Sequence, residues 1–141
     1  MPTLKNLQKK IRLPQKKIRS SIKIISRQLK IKKDFSIVFV DNRFIKRLNK
    51  DFLKAKQSTD VLAFNCDIKT YLGDVIISVE TAKQNALKYN STFFKEIILY
   101  VIHGLLHLQG FKDYTKGEFM RMDKKQQSIL NHTLKQLNHD K

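Results

Sequence analysis

The first forty residues combine a basic segment, a helical pattern and a short apolar run. Residues 1–13 fit either a basic edge strand or an extended arm. Four apolar residues then recur at three- and four-residue steps: Ile18, Ile22, Ile25 and Leu29. This spacing predicts an amphipathic helix over residues 15–30. The β-rich run at 35–40, which is bounded by charged residues, predicts a strand.

The middle of the chain predicts one helix, two strands and a second helix. Asn42 is a suitable N-cap for a helix that ends near residue 52. Two short apolar runs, 61–64 and 73–78, predict buried strands. Only eight residues separate these runs, which suits a hairpin-like connection better than a helical crossover. Ser78 is then positioned to cap a helix that continues to about residue 89.

The last third of the chain is helical in pattern. Ser91 or Thr92 opens a helix that is apolar around much of its circumference between residues 97 and 108. We therefore expect this helix to be central and buried, and Gly110 to end it. A mixed helix over 116–137 and a frayed tail at 138–141 complete the prediction.

These elements indicate one α/β (α+β) domain spanning residues 1–141. We expect a small mixed four-stranded sheet, about five helices, and one central buried helix carrying the metal ligands. The apolar content of 41%, with nine Phe and four Tyr, is sufficient for a packed core. No apolar run approaches the roughly 18 residues of a transmembrane span. The single cysteine, Cys66, excludes an intrachain disulfide scaffold.

The charge balance indicates a polyanionic partner. The chain has 29 Lys and Arg against 12 Asp and Glu, a formal net charge of +17. Such a charge favours nucleic-acid binding. A solvated basic surface is the alternative, and an anionic membrane surface would need a hydrophobic anchor that the chain lacks. We expect RNA to contact the basic face of the first helix, which comprises Lys16, Lys17, Arg19, Lys23, Arg27 and Lys30.

The N-terminus and the cysteine content favour a cytoplasmic location. Residues 1–20 are basic and lack the apolar segment of a secretory signal, although a transit peptide stays open as an alternative. A lone Cys66 is typical of a reducing compartment.

A histidine pair provides the candidate chemistry. His103 and His107 lie four residues apart, which places both imidazoles on one face of the predicted helix. After the break at Gly110, the chain can return and bring Asp113 over the same face. Two imidazoles and one carboxylate suit Zn²⁺ or a similar divalent ion, with a fourth position open for catalysis. The alternative is a pair of core histidines. His132 and His139 lie in a polar tail, where we interpret them as solvated.

A peptidase of the His-Glu-x-x-His type is disfavoured. That mechanism places its general base directly after the first histidine. Gly104 occupies this position and has no side chain.

The order of several further blocks resembles the YbeY family of bacterial rRNA maturation factors, which are metal-dependent endoribonucleases. The resemblance covers about residues 35–115, and the segments that carry it are 48–52, 59–64, 72–78, Glu96 and 103–111. It implies a single-strand-specific endoribonuclease for 16S rRNA 3′-end maturation and ribosome quality control. The implied partners are ribosomal RNA and the small ribosomal subunit or its assembly proteins. A non-catalytic ribosome-associated RNA-binding factor with a structural metal is the alternative.

Two positions depart from the family pattern. Asp113 stands where the family usually has a third histidine, and an anionic ligand should make bound water less acidic. Leu53 replaces a usual arginine, so the chain loses a cation for the phosphate. Lys112, Lys54 or Lys56 are candidate replacements, as point charges without the fork of arginine.

Two acidic residues have both a functional and a structural interpretation. Glu96 lies seven residues before His103 and could accept a hydrogen bond from an imidazole N–H, or could be an acid favoured near the helix N-terminus. Asp60, after Thr59, either caps a turn or reaches the site.

Overall fold

The computed structural model describes residues 2–53 and 60–139. These residues form four strands and five helices, as the sequence predicts. In chain order the elements are β1 (Thr3–Asn6), α1 (Gln15–Gln28), β2 (Asp34–Val40), α2 (Asn42–Leu53), β3 (Val61–Ile68), β4 (Tyr71–Ser78), α3 (Val79–Lys88), α4 (Phe93–Leu108) and α5 (Lys116–His139). The predicted tail at 138–141 is described only to His139, where α5 ends.

The four strands form a mixed sheet in the order β1-β2-β4-β3. The β1–β2 and β2–β4 pairs are parallel, and β3 and β4 form the antiparallel hairpin that the short connection predicts. Thr3 pairs with Ser36 and Asn6 with Phe39, so the N-terminal segment contains an edge strand. The small α+β fold with a mixed four-stranded sheet is therefore confirmed.

The sheet is covered on both faces, but unequally. Phe35, Ile37 and Phe39 alternate along β2 and belong to the main core, together with buried residues of α1, α4 and α5. Val38 and Val40 point to the opposite face, where a smaller apolar cluster includes Ile45, Leu62 and Ile76. Since Ile45 belongs to α2, that helix covers the second face.

Helix α4 is the central helix of the main core, as its apolar circumference predicts. It contacts β3, β4 and the helices α1, α3 and α5. Gly104 permits its approach to the sheet, since a Cβ atom there would lie 2.3 Å from Cγ1 of Val75. The packing of α4 against the sheet therefore requires glycine at position 104, the same residue that argues against a peptidase base.

Helix caps account for the boundaries. Thr92, rather than Ser91, caps α4 by accepting a hydrogen bond from the Lys95 N–H at 3.1 Å. Ser78 caps α3 as predicted. The expected cap of α2 is wrong: Asp41 accepts the hydrogen bond from the Phe44 N–H at 2.9 Å, and Asn42 is already helical. The Asn42 side chain instead accepts a hydrogen bond from the hydroxyl of Thr81 at 2.8 Å.

Helix α4 ends as predicted. Gly110 follows it with φ of +99°, in the left-handed region that glycine adopts readily. The N–H of Phe111 donates to the carbonyl of Leu106 at 3.0 Å, which closes the turn. Among the described residues, no helix combines the length and apolar content needed to cross a bilayer.

Candidate metal centre

The structure brings the three predicted ligands together. His103 and His107 stand one turn apart on α4, with their Nε2 atoms separated by 3.1 Å. The turn at Gly110 returns the chain, and Oδ2 of Asp113 lies 3.5 Å from Nε2 of His107 and 3.9 Å from Nε2 of His103. The three side chains are 27–29% exposed, so the cluster is anchored in the fold but open to solvent on one side.

The Nδ1 atoms of the histidines fix the direction of the rings. Nδ1 of His103 lies 2.8 Å from Oε1 of the buried Gln126, and Nδ1 of His107 lies 3.0 Å from the carbonyl oxygen of Phe111. Because these oxygens only accept hydrogen bonds, both Nδ1 atoms carry the proton. This tautomer leaves a lone pair on each Nε2 atom, and both Nε2 atoms lie within 3.9 Å of Oδ2 of Asp113, which is the arrangement of metal-binding histidines and their supporting partners.

These residues fit a divalent ion. Unprotonated Nε2 atoms 3.1 Å apart, with a carboxylate oxygen 3.5 Å from one of them, concentrate lone pairs and negative charge that a cation would neutralise. Two nitrogen ligands at about 2.0–2.1 Å from a tetrahedral zinc would lie roughly 3.3 Å apart, close to the separation here. Burial lowers the pKa of His103, opposed by its hydrogen bond to Gln126 and by the charges of Asp60 and Asp113. The lowered pKa favours the neutral imidazole that binds metal.

Gln126 is one residue of the candidate site that the sequence analysis did not predict. It lies on α5, which the sequence predicts to be a mixed helix, yet Gln126 is only 8% exposed. The available signal was its helical spacing with other residues of the α5 core, namely Met122, Ile129, Leu130 and Thr133.

A small cavity adjoins two of the three candidate ligands, His103 and Asp113. It measures about 60 Å³, and its lining includes His103, Asp113, Phe119, Asp123 and Gln126. A water molecule takes roughly 30 Å³ in the liquid, so the cavity has room for a small oxygen-containing group. Asp123 and Phe119 were not anticipated, because only the packing of α5 against α4 brings them to the ligands.

Glu96 does not take the predicted role of partner to an imidazole N–H. The Nδ1 atoms of His103 and His107 are bonded to Gln126 and Phe111. Burial raises the pKa of Glu96, opposed by its hydrogen bond to Ser91 and reinforced by the charge of Asp60. Against the larger lowering effect of burial, the charge of Asp60 also raises the pKa of His103, so Asp60 lies within electrostatic range of the candidate metal centre.

Comparisons with known proteins identify the family of this chain. The family model "Endoribonuclease YbeY" matches residues 3–134. The chain belongs to the YbeY family. It is 38% identical over 112 residues to Endoribonuclease YbeY of Acholeplasma laidlawii, covering 78% of this chain and 82% of that protein. It is 41% identical over 98 residues to the Carboxydothermus hydrogenoformans protein of the same name, covering 67% and 68%.

A solved structure supports the YbeY fold along nearly the whole chain. The solution structure of TM1509 from Thermotoga maritima has a TM-score of 0.68 and 26% sequence identity, and the match covers 99% of this chain and 93% of that one. Together with the family match over 3–134, this extends the resemblance beyond 35–115 to the N-terminal strand and the last helix.

The described cationic residues considered for RNA lie on or just after α1 and next to Asp113 in this YbeY chain. All six predicted RNA-binding residues are exposed: Lys16, Lys17, Arg19, Lys23 and Arg27 on α1, and Lys30 just after it. Lys112 is exposed directly before Asp113. Lys54, Lys56 and Thr59 lie outside the described residues, as does the side chain of Leu53.

Proposed function

We propose that this chain is a metal-dependent endoribonuclease that cuts single-stranded RNA. The observation that carries the proposal is the convergence of His103, His107 and Asp113, with both Nδ1 atoms held by other groups. The names of the YbeY relatives supply the reaction class. Two imidazole nitrogens and one carboxylate oxygen favour Zn²⁺ as the ion.

The side chains around the cavity have distinct tasks in this mechanism. His103, His107 and Asp113 would hold a divalent ion, which when bound would supply Lewis acidity toward the phosphodiester and lower the pKa of water. Gln126 and the Phe111 carbonyl orient the two rings. Asp123 adds a second carboxylate to the lining of the cavity, where it would serve as the proton acceptor for water. Lys112, exposed beside Asp113, contributes positive charge for the phosphate.

The biological setting that we propose is ribosomal RNA. The charge of +17 and the exposed basic face of α1 support binding to an RNA backbone. Within the cytoplasm, we infer action on the 16S rRNA 3′ end and in ribosome quality control, on the small subunit or with its assembly proteins.

A non-catalytic RNA-binding factor is the second candidate. It is favoured by the two departures from the family pattern, Asp113 and Leu53. An anionic third ligand reduces the net charge of the metal centre, so the ion polarises water less. In this version the ion braces the chain reversal between His107 and Asp113.

A cleavage assay separates the two candidates. Metal-loaded wild type, His103→Ala and Asp113→Ala are incubated with a single-stranded fragment of ribosomal RNA. His132→Ala is the matched control, because His132 is an exposed histidine outside the ligand cluster. The nuclease proposal expects cutting by wild type and His132→Ala, and its loss in both ligand variants.

A second experiment restores the residues that the family usually has at positions 53 and 113. Adding one charge contact to a transition state typically changes the rate by about 10²–10³. The double variant Leu53→Arg with Asp113→His should therefore cut faster than wild type. If wild type and this double variant bind the RNA but leave it intact, the non-catalytic candidate is correct.

A further inference from the structure

Two aromatic residues close in the chain to the candidate ligand Asp113 are unusually open to solvent. Tyr114 is 85% exposed and Phe119 is 55% exposed. Tyr114 directly follows the ligand Asp113, and Phe119 lines the same cavity as His103 and Asp113. We call Tyr114 and Phe119 the aromatic pair. Exposed aromatic surface that adjoins a candidate reaction site calls for a ligand with an apolar face.

The aromatic pair is carried by a well-defined helix start. The N–H of Thr115 donates to Oε1 of Glu118 at 3.0 Å, and the N–H of Glu118 donates to Oγ1 of Thr115 at 3.1 Å. This reciprocal capping box begins α5. The N–H of Phe119 in turn donates to the carbonyl of Thr115 at 2.9 Å. The backbone next to the cavity is therefore fixed before any ligand arrives.

Packing at the start of α5 does not by itself explain the exposure of the aromatic pair. Tyr114 and Phe119 occupy the positions before the cap and in the first turn where two apolar side chains often pack together. Packing of that kind buries both partners, whereas Tyr114 keeps 85% of its surface exposed. Most of the tyrosine ring is therefore available to something outside the chain.

The charges near the aromatic pair favour nucleic acid as its ligand. Lys112 and Lys116 lie two residues to either side of Tyr114, and both are exposed. Aromatic rings flanked by cations are the usual means of holding single-stranded nucleic acid, because bases stack on the rings while the cations face the backbone. A base within a duplex is already stacked and paired, so only an unpaired base has a free face to offer.

We infer that the aromatic pair is a stacking subsite for an unpaired base of single-stranded RNA, next to the phosphate presented to the metal centre. This inference rests on the proposed nuclease function and specifies how that site selects unpaired RNA. The pair acts on binding and positioning, and takes no part in bond cleavage.

The test measures the affinity of metal-loaded protein for a short single-stranded oligoribonucleotide and for a duplex of the same length. A denaturing gel verifies that the RNA stays intact during the measurement. Tyr114→Ala and Phe119→Leu each remove one aromatic face. Tyr114→Phe keeps the ring, and Tyr89→Ala removes a tyrosine that is 63% exposed at the end of α3.

Removing either ring should weaken single-strand binding by about 5- to 150-fold, the range expected for one base–aromatic stack. Tyr114→Phe and Tyr89→Ala should bind like wild type, and duplex affinity should be the same in all variants. The dependence of affinity on salt should keep its slope, since every cation that faces a phosphate is retained. Because Tyr114 is almost fully exposed, Tyr114→Ala should retain the wild-type melting temperature.

Unchanged single-strand affinity in Tyr114→Ala and Phe119→Leu would overturn the inference. It would also be overturned if the two variants altered the oligomeric state in sedimentation while leaving RNA affinity intact, because the pair would then serve a second copy of the chain. The cleavage assay tests the nuclease proposal independently of this binding measurement. A wild-type protein that binds but never cuts single-stranded RNA refutes nuclease activity and leaves the stacking subsite standing.

Discussion

Replacing Gln126 with leucine should weaken zinc binding while leaving the fold intact. Oε1 of Gln126 accepts a hydrogen bond from Nδ1 of His103 at 2.8 Å, and this bond joins α5 to α4. Leucine is similar in size and apolar, so it keeps this buried position filled. It leaves the Nδ1–H of His103 without its acceptor.

The size of the effect follows from the role of that hydrogen bond. An ordinary hydrogen bond contributes about 0.5–1.5 kcal/mol, and a buried donor left unpaired costs about 1–3 kcal/mol. Here the bond also directs Nε2 of His103 toward the other ligands and makes that atom more basic. Removing such a partner typically lowers metal affinity about 10- to 100-fold, which corresponds to about 1.4–2.7 kcal/mol. We expect the zinc dissociation constant of Gln126→Leu to rise within this range.

The assay is a competition titration against a chromophoric zinc chelator at fixed pH. Gln127→Leu is the matched control, because Gln127 is the exposed neighbour of Gln126 on the same helix. Gln126→Glu should bind zinc at least as tightly as wild type, since a carboxylate accepts the same hydrogen bond more strongly. The proposed role of Gln126 is refuted if folded Gln126→Leu binds zinc like wild type, or if Gln127→Leu weakens zinc binding as much.

Three further perturbations test packing, metal and charge. Gly104→Ala should lower the free energy of unfolding by about 1–3 kcal/mol in denaturant titration, because its Cβ would lie 2.3 Å from Cγ1 of Val75. Gly117→Ala, whose nearest contact would be 3.7 Å, should not destabilise the protein. Zinc at 100 times its dissociation constant should stabilise the native state by about 2.7 kcal/mol relative to chelated protein, and an equal melting temperature in both would argue against a metal site. Charge reversal at Lys16, Lys17 and Lys23 should flatten the plot of log RNA affinity against log salt, by about 0.7 for each phosphate of a single strand that the protein no longer neutralises. A slope equal to that of wild type would make this face of α1 a solvated surface.

Much of the fold could be predicted because its signals are local. The three- and four-residue spacing in α1 and the apolar run in β2 reflect which side of each element faces the core. Capping is also local, but it depends on a single position. Asp41 and Asn42 are adjacent and chemically similar, and only the backbone geometry shows that Asp41 is the cap of α2.

The strand order β1-β2-β4-β3 could not be predicted from the local hydrophobic pattern of the sequence. Parallel pairing of β1 with β2 joins segments separated by the whole of α1, and the hydrophobic pattern of residues 3–6 fits an arm equally well. Which strands become neighbours is decided by how the helices cover the sheet. The contact of Gly104 with β4 has the same origin, since it depends on the distance between a helix and a strand.

In the candidate site too, some features follow from local sequence and others from tertiary packing. The sequence by itself determined His103, His107 and Asp113, because one helical turn and one glycine-mediated reversal bring them together within eleven residues. Only the tertiary structure decided what supports them. Gln126 is 23 residues from His103 and reaches it because α5 packs on α4, whereas Glu96, on the same helix as the histidines, bonds elsewhere. Ligand spacing is a property of local backbone geometry, but the partner of a ligand is set by which distant element fills the remaining space.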